Sequence, residues 1–278
     1  MTSSVRGMCT GAYPLRRVDT NALEEQVRAL DEGRAFVDGS RLRMVEVGGG
    51  DAAAWLNDLV TARVEDLAEK RAVRSLLLTP TGRVRADFHV ARARERFLLL
   101  QDPDQPKAVD DLLEPYVLSS DVALRDPGGD MGPILVPTPS GWSVEWAPPA
   151  GAAPADPQAA EVWRIRRGIP RFPIDFDEDS LPAEAGLEHL IDFAKGCFLG
   201  QESVAKVRNM GHPPRAVVAL RAREPVHAGE RVLAGGQDVG EVTSAAPFGI
   251  GMALIASVRW EARSGGLHSA SGPALAPA

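Results

Sequence analysis

Cysteine is nearly absent from this 278-residue chain. The two present, Cys9 and Cys197, exclude a disulfide framework, and no Cys-x-x-Cys pair occurs. The five histidines (His89, His189, His212, His227 and His268) never fall in His-Glu-x-x-His spacing, so no metal site is expected. Aromatic residues make up only 5%. Positive charge is also in deficit: 31 Lys+Arg against 38 Asp+Glu give a net charge of -7. That sign opposes phosphate backbones, so no direct nucleic-acid partner is expected. No run approaches the roughly 18 apolar residues of a membrane span, so no membrane partner is expected either. The opening MTSSVRGMCTGAYP lacks the apolar core of a secretory signal, and the expected compartment is a reducing cytoplasm.

What is present is ordinary in bulk, with 44% hydrophobic and 25% charged residues, while 27 Gly and 22 Pro mark many turns. Residues 1–20 read as a flexible lead-in. A helix is expected over 21–33, with Asn21 as N-cap, Gly33 as stop, and Leu23, Val27 and Leu30 on one face. LRMVEV (42–47) alternates like a strand, and Gly48-Gly49-Gly50-Asp51 turns the chain into the helix AAAWLNDLV. Gly48, Gly50 and Ala53 formally satisfy G-x-G-x-x-A, but a dinucleotide site needs a following parallel strand. RSLLLTP, RVRADFHVARA and FLLLQ instead read as an antiparallel meander. In its middle strand Val84, Ala86, Phe88 and Val90 share one face; Arg83, Arg85, Asp87 and His89 share the other. That polar face reads either as solvated or as the wall of a ligand pocket.

Residues 104–118 read as a helix broken near Pro115, and APPAGAAPADPQAA (147–160) as a flexible loop. From residue 211 the grammar is all-β, short strands between Gly and Pro turns, suggesting a small barrel ending near 264. GGLHSASGPALAPA (265–278) reads as a disordered tail.

The least ordinary stretch is Lys195-Gly196-Cys197-Phe198-Leu199-Gly200-Gln201-Glu202. Two glycines free the backbone around a cysteine, and QESVAKVRN reads as a helix with Val204 and Val207 inward. Cys197 then lies near a helix N-terminus with Lys195 close by, and both effects would lower a thiol pKa. The plainer reading is a small buried hydrophobe.

This octapeptide resembles the signature of the YgfZ group, within the superfamily of the glycine-cleavage T-protein, a folate-dependent aminomethyltransferase. LLLTPTGRVRADFHV, RIRRGIPR, GLEHLIDFAKGCFLGQESVAKV and GEVTSAAPFGIGMALIASV extend the resemblance over roughly residues 22–262. It implies an α+β fold: two intertwined α+β domains (21–210) and a C-terminal β-barrel (211–264), set like a clover around a central hole where tetrahydrofolate or a derivative binds. It further implies an accessory protein for iron–sulfur proteins, affecting tRNA modification indirectly. That protein would be a monomer in transient contact with its clients, with Cys197 and Lys195 as its chemical pair and Asp87 and Arg85 on the folate. In the motif, Gly196, Phe198, Gly200, Gln201 and Glu202 would serve the architecture. The alternative is a tetrahydrofolate-dependent aminomethyl or other one-carbon transferase. Against the T-protein pattern, an acid pair has become Ala86-Asp87. R-L-E-A-G has become Arg164-Ile165-Arg166-Arg167-Gly168, so that Arg166 stands where a pterin-gripping Glu is expected.

Overall fold

The computed structural model describes residues 20–128 and 132–278. Cys9 and nearly all of the lead-in expected over 1–20 lie outside the described residues.

Helix α1 (Thr20–Asp31) buries Leu23, Val27 and Leu30 as their spacing requires. Strand β1 (Ala35–Asp38) follows, then β2 (Arg43–Gly48) and helix α2 (Ala52–Leu59). The meander forms as read: β3 (Ala72–Leu78), β4 (Val84–Ala93) and β5 (Arg96–Gln101), antiparallel throughout. Helix α3 (Val109–Leu113) tightens into a 3-10 turn at Glu114–Tyr116, and β6 (Ala123–Arg125) completes a sheet of order β3-β4-β5-β2-β6. Its pairings with β2 are antiparallel, which removes the dinucleotide reading. Gly49 (φ 119°) packs so tightly on Asp121 that a Cβ there would lie 2.1 Å from its carbonyl oxygen.

Strands β7 (Ile134–Thr138), β8 (Gly141–Glu145) and β9 (Ala153–Pro154) form a second sheet, order β8-β7-β1-β9. The two sheet domains are therefore interleaved, because β1 belongs to the second although β2–β6 build the first. Helix α4 (Pro157–Arg166) packs on α1, with Trp163 donating to Asp31 Oδ1 at 3.0 Å. The loop expected over 147–160 is thus shorter than its composition suggests. Asp156 caps α4 by accepting from the Gln158 amide, and Pro157 takes a first-turn position that needs no N–H.

Helix α5 (Gln201–Met210) leads to a closed six-stranded barrel of β10 (Arg215–Ala222), β11 (Arg231–Ala234), β12 (Gln237–Phe248), β13 (Gly251–Arg259), β14 (Leu267–Ser269) and β15 (Ala274–Pro277). The last two strands correct the expected disordered tail and the barrel boundary at 264. Leu267 and Leu275 enter the barrel core, and β15 closes the cylinder by pairing with β10. Burying two leucines and satisfying an otherwise open edge outweigh a composition poor in large side chains. The barrel is welded to the rest: Ala246, Ala253 and Ile255 share one core with α1 and α4.

Candidate functional site

Strand β4 carries the polar face, but a bulge alters it. Leu77 pairs with Ala86 while Leu78 pairs with Val84, leaving Arg85 as the extra residue. Val84 consequently crosses into the cluster of Leu76, Leu78 and Phe172, away from Ala86, Phe88 and Val90. Arg85 is half-buried and does not line the cavity that Asp87 enters, so its expected folate contact is corrected by the bulge.

Asp87 is buried in the wall of a cavity of about 210 Å³ between the two sheet domains and α4. Arg74 on β3, directly opposite His89 and diagonal to Asp87, meets it bidentately: Nε to Oδ1 at 2.9 Å and Nη2 to Oδ2 at 2.5 Å. Gln105 clamps the Asp87 backbone, accepting from its N–H at 3.1 Å and donating to its carbonyl. His89 Nε2 lies 3.0 Å from the Trp142 carbonyl oxygen, which can only accept, so Nε2 carries the proton and Nδ1 remains an acceptor. Burial, with Arg74 adding to it, lowers the His89 pKa to about 4 and keeps the ring neutral.

Sequence reasoning missed Glu161. It stands one helical turn before Arg164 on α4 and lines the same cavity. Its two oxygens accept from Arg164 Nε at 2.7 Å and Nη2 at 2.5 Å. Arg166, where a Glu is expected, points elsewhere: it pairs with Asp31, lies over the Phe248 ring at 4.7 Å and lines a separate recess beside the barrel. The i, i+3 spacing of Glu161 and Arg164 was the available signal. Arg171, a further cation on the wall, is held by Asp102 at 2.8 Å and Asp104 at 2.5 Å.

The Cys197 motif forms a second locus. Cys197 is exposed. Gln201 Nε2 donates to the Gly196 carbonyl at 3.1 Å, bracing the loop, and Phe198 enters the core beside Leu76 and Val84. Gly200 (φ 84°) begins α5; a Cβ there would lie 2.5 Å from the Thr79 carbonyl oxygen. Glu202 is exposed and pairs with Lys206 at 2.7 Å, which holds its carboxyl below the usual range.

Lys195 corrects an expectation. It is buried, and its ammonium donates to the carbonyls of Asn57, Val60 (2.5 Å) and Ala62 (2.8 Å). These spend all three of its protons on the last turn of α2 and the segment after it, so it is a clamp rather than a partner in chemistry. Desolvation lowers its pKa to about 8. Neither Cys197 nor Lys195 lines the Asp87 cavity. An outer recess of about 830 Å³ lies between the two loci; Ala194 is on its wall, and it shares Arg74 and Trp142 with the cavity.

Among the described residues no helix is long and apolar enough to cross a membrane. Residues 6–140 match the GCVT N-terminal domain family. A chloroplastic protein of Arabidopsis thaliana named as a transferase is 24% identical over 275 residues, 80% of this chain and 64% of that one. The mitochondrial iron-sulfur cluster assembly factor IBA57 homolog of Pyricularia oryzae is 27% identical over 205 residues, 61% of this chain. This chain spans 52% of that factor's length. The crystal structure of the glycine cleavage system aminomethyltransferase T from Bartonella henselae superposes with a TM-score of 0.74 at 18% identity, covering 91% of this chain and 88% of that one. With two sheet domains and a terminal barrel in common, the chain shares the fold of that aminomethyltransferase T, and its N-terminal half is similar in sequence to the GCVT N-terminal domain family.

Proposed function

We propose that this protein is a folate-binding accessory factor of the YgfZ group that serves the assembly or maintenance of iron–sulfur proteins, and through them tRNA modification, with Cys197 as its reactive thiol. The observation that carries the folate half is the cavity, where two carboxylates, Asp87 and Glu161, meet a neutral imidazole. This set of acceptors fits a reduced pterin. Carboxylates accept from its amino and ring N–H groups, His89 Nδ1 is a further acceptor, and Trp142 and Phe172 offer flat apolar walls. Tetrahydrofolate, when bound, supplies a carrier for a one-carbon unit.

The iron–sulfur half rests on the exposed thiol and on the likeness to the Pyricularia factor. A resident cluster needs about four Cys or Cys/His ligands. With two cysteines in the whole chain, a cluster is cargo or a client's possession, and contact with it is transient. Thiolate ligation of iron, a mixed disulfide and capture of a one-carbon adduct are all open to Cys197.

Calorimetry with tetrahydrofolate tests the first half: binding is expected, and weaker binding in Asp87→Asn. No binding by the wild type refutes it. For the second half, Cys197→Ser is expected to melt like the wild type yet fail to complement an iron–sulfur-deficient strain, whereas Cys9→Ser complements. Full complementation by Cys197→Ser refutes the role. The alternative, an aminomethyltransferase, draws support from the retained Asp87. It requires ammonia release from an aminomethylated lipoyl carrier in the presence of tetrahydrofolate, and turnover in that assay would establish it over the accessory role.

A further inference from the structure

Arg74, Arg164 and Arg171 are among the four arginines that line the Asp87 cavity, and these three are anchored differently. Arg164 is held by Glu161, Asp175, the Ser244 hydroxyl and the Ile169 carbonyl. Arg171 is held by Asp102 and Asp104. Arg74 depends on one carboxylate, Asp87, with a longer contact of 3.3 Å to the Pro170 carbonyl. It also stands in the partition between the cavity and the outer recess, which is some four times larger, so space lies on its far side.

What Arg74 presents to Asp87 is a planar N–C–N unit with two parallel N–H donors, matched to the two carboxylate oxygens. A pterin carries the same unit in its ring: the amino group and the adjacent ring N–H are joined through one carbon. The guanidinium and the pterin edge therefore compete for the same two oxygens.

We propose that Arg74 is a built-in competitor for the folate site: its guanidinium fills the place of the pterin's amino–imino edge on Asp87, and a ligand binds by displacing it toward the outer recess. The inference rests on the folate reading above and adds how the site selects. It admits planar heterocycles that reproduce the guanidine-like edge and rejects those in which the amino group is replaced by a carbonyl, because an oxygen there faces a carboxylate oxygen with no proton between them. Affinity in the wild type is lowered by the small fraction of molecules in which Arg74 has left Asp87.

The experiment uses the full chain and two probes, pterin and lumazine, the latter having a carbonyl in place of the pterin amino group. Arg74→Ala is expected to bind pterin at least tenfold more tightly than the wild type by calorimetry, and lumazine no better than the wild type does. Free guanidinium at low millimolar concentration is expected to raise the melting temperature of Arg74→Ala and not of the wild type. If Arg74→Ala does not fold, Arg74→Lys replaces it, since lysine keeps the charge but lacks the planar fork, and tighter pterin binding is again expected. Equal or weaker pterin binding by the folded variant overturns the exchange, as does equal tightening for lumazine. Failure of the folate reading looks different: wild type that does not bind tetrahydrofolate, while the variant still gains pterin and guanidinium.

Discussion

Arg164 and Asp175 form an ion pair of 2.7 Å with side chains 5% and 0% exposed, at the seam between α4 and the barrel. Asp175 Oδ1 also accepts from Thr243 at 2.6 Å and Ser244 at 2.7 Å, both on β12, so one carboxylate ties α4 to the barrel. Breaking such a pair leaves a buried charge uncompensated, at a cost of about 3–5 kcal/mol. Asp175→Ala is expected to lower the urea midpoint accordingly. Residues 211–278 expressed alone are expected to show no cooperative melt, because Ala246, Ala253 and Ile255 would lose the core they share with α1 and α4. A sharp transition in that fragment would show that the weld is dispensable.

The motif glycines separate by environment. At Gly200 a methyl group meets the Thr79 carbonyl oxygen at 2.5 Å under a left-handed φ of 84°. At Gly196 the φ is 106° but nothing lies within 4 Å of an added Cβ. Gly196→Ala is expected to cost about 1–2 kcal/mol from backbone strain alone, and Gly200→Ala clearly more, about 3 kcal/mol or above. Equal costs by chemical denaturation would mean that the close approach to Thr79 relaxes freely.

His89 makes stability depend on acid. Its folded pKa of about 4 lies below the ordinary value of ~6.5. Between those values the unfolded chain binds a proton that the folded chain refuses. The contribution of His89 is therefore complete above pH ~6.5 and is lost as pH falls toward about 4. His89→Gln keeps a donor for the Trp142 carbonyl but does not titrate. The wild type is expected to lose stability relative to it between pH 7 and 4.5, and a constant difference in unfolding free energy would contradict the assignment.

Lys195 acts at the other end of the scale. Its folded pKa of about 8 lies below the ordinary ~10.4, so the unfolded chain holds the proton longer. Stability relative to Lys195→Met is expected to rise as pH climbs from about 8 through ~10.4. The variant itself is expected to be less stable at every pH by about 2–5 kcal/mol, since the carbonyls of Asn57, Val60 and Ala62 lose their donor. A variant as stable as the wild type would show that water replaces the ammonium.

The features legible in the sequence were local in cause. The meander followed from alternation and turn residues, α1 from its apolar spacing, and the start of α5 from Gly200 and the residues after it. What escaped depends on partners far along the chain. The bulge at Arg85 arises from how β3 and β4 register, which no alternation within β4 encodes. Lys195 beside Cys197 suggested chemistry, yet its ammonium is drawn to carbonyls more than a hundred positions away. Glu161 stood in a segment shadowed by a Pro- and Ala-rich stretch, and only the packing of α4 against the cavity gives it meaning. The final strands were hidden because two leucines carry the burial in a run of small residues.

The interleaving of the sheets has a consequence for how the chain is made. Strand β1 leaves the ribosome early, but its partners β7 and β9 come about a hundred residues later, after the whole five-stranded sheet has been synthesised. Helix α1 likewise waits for α4. The β3–β5 meander can close on local hairpins, while β1 waits for β7 and β9, and α1 has its α4 partner only once synthesis passes residue 166. A chain cut at residue 140, between β7 and β8, would hold β1 and β7 but neither β8 nor β9, and so only half of the second sheet.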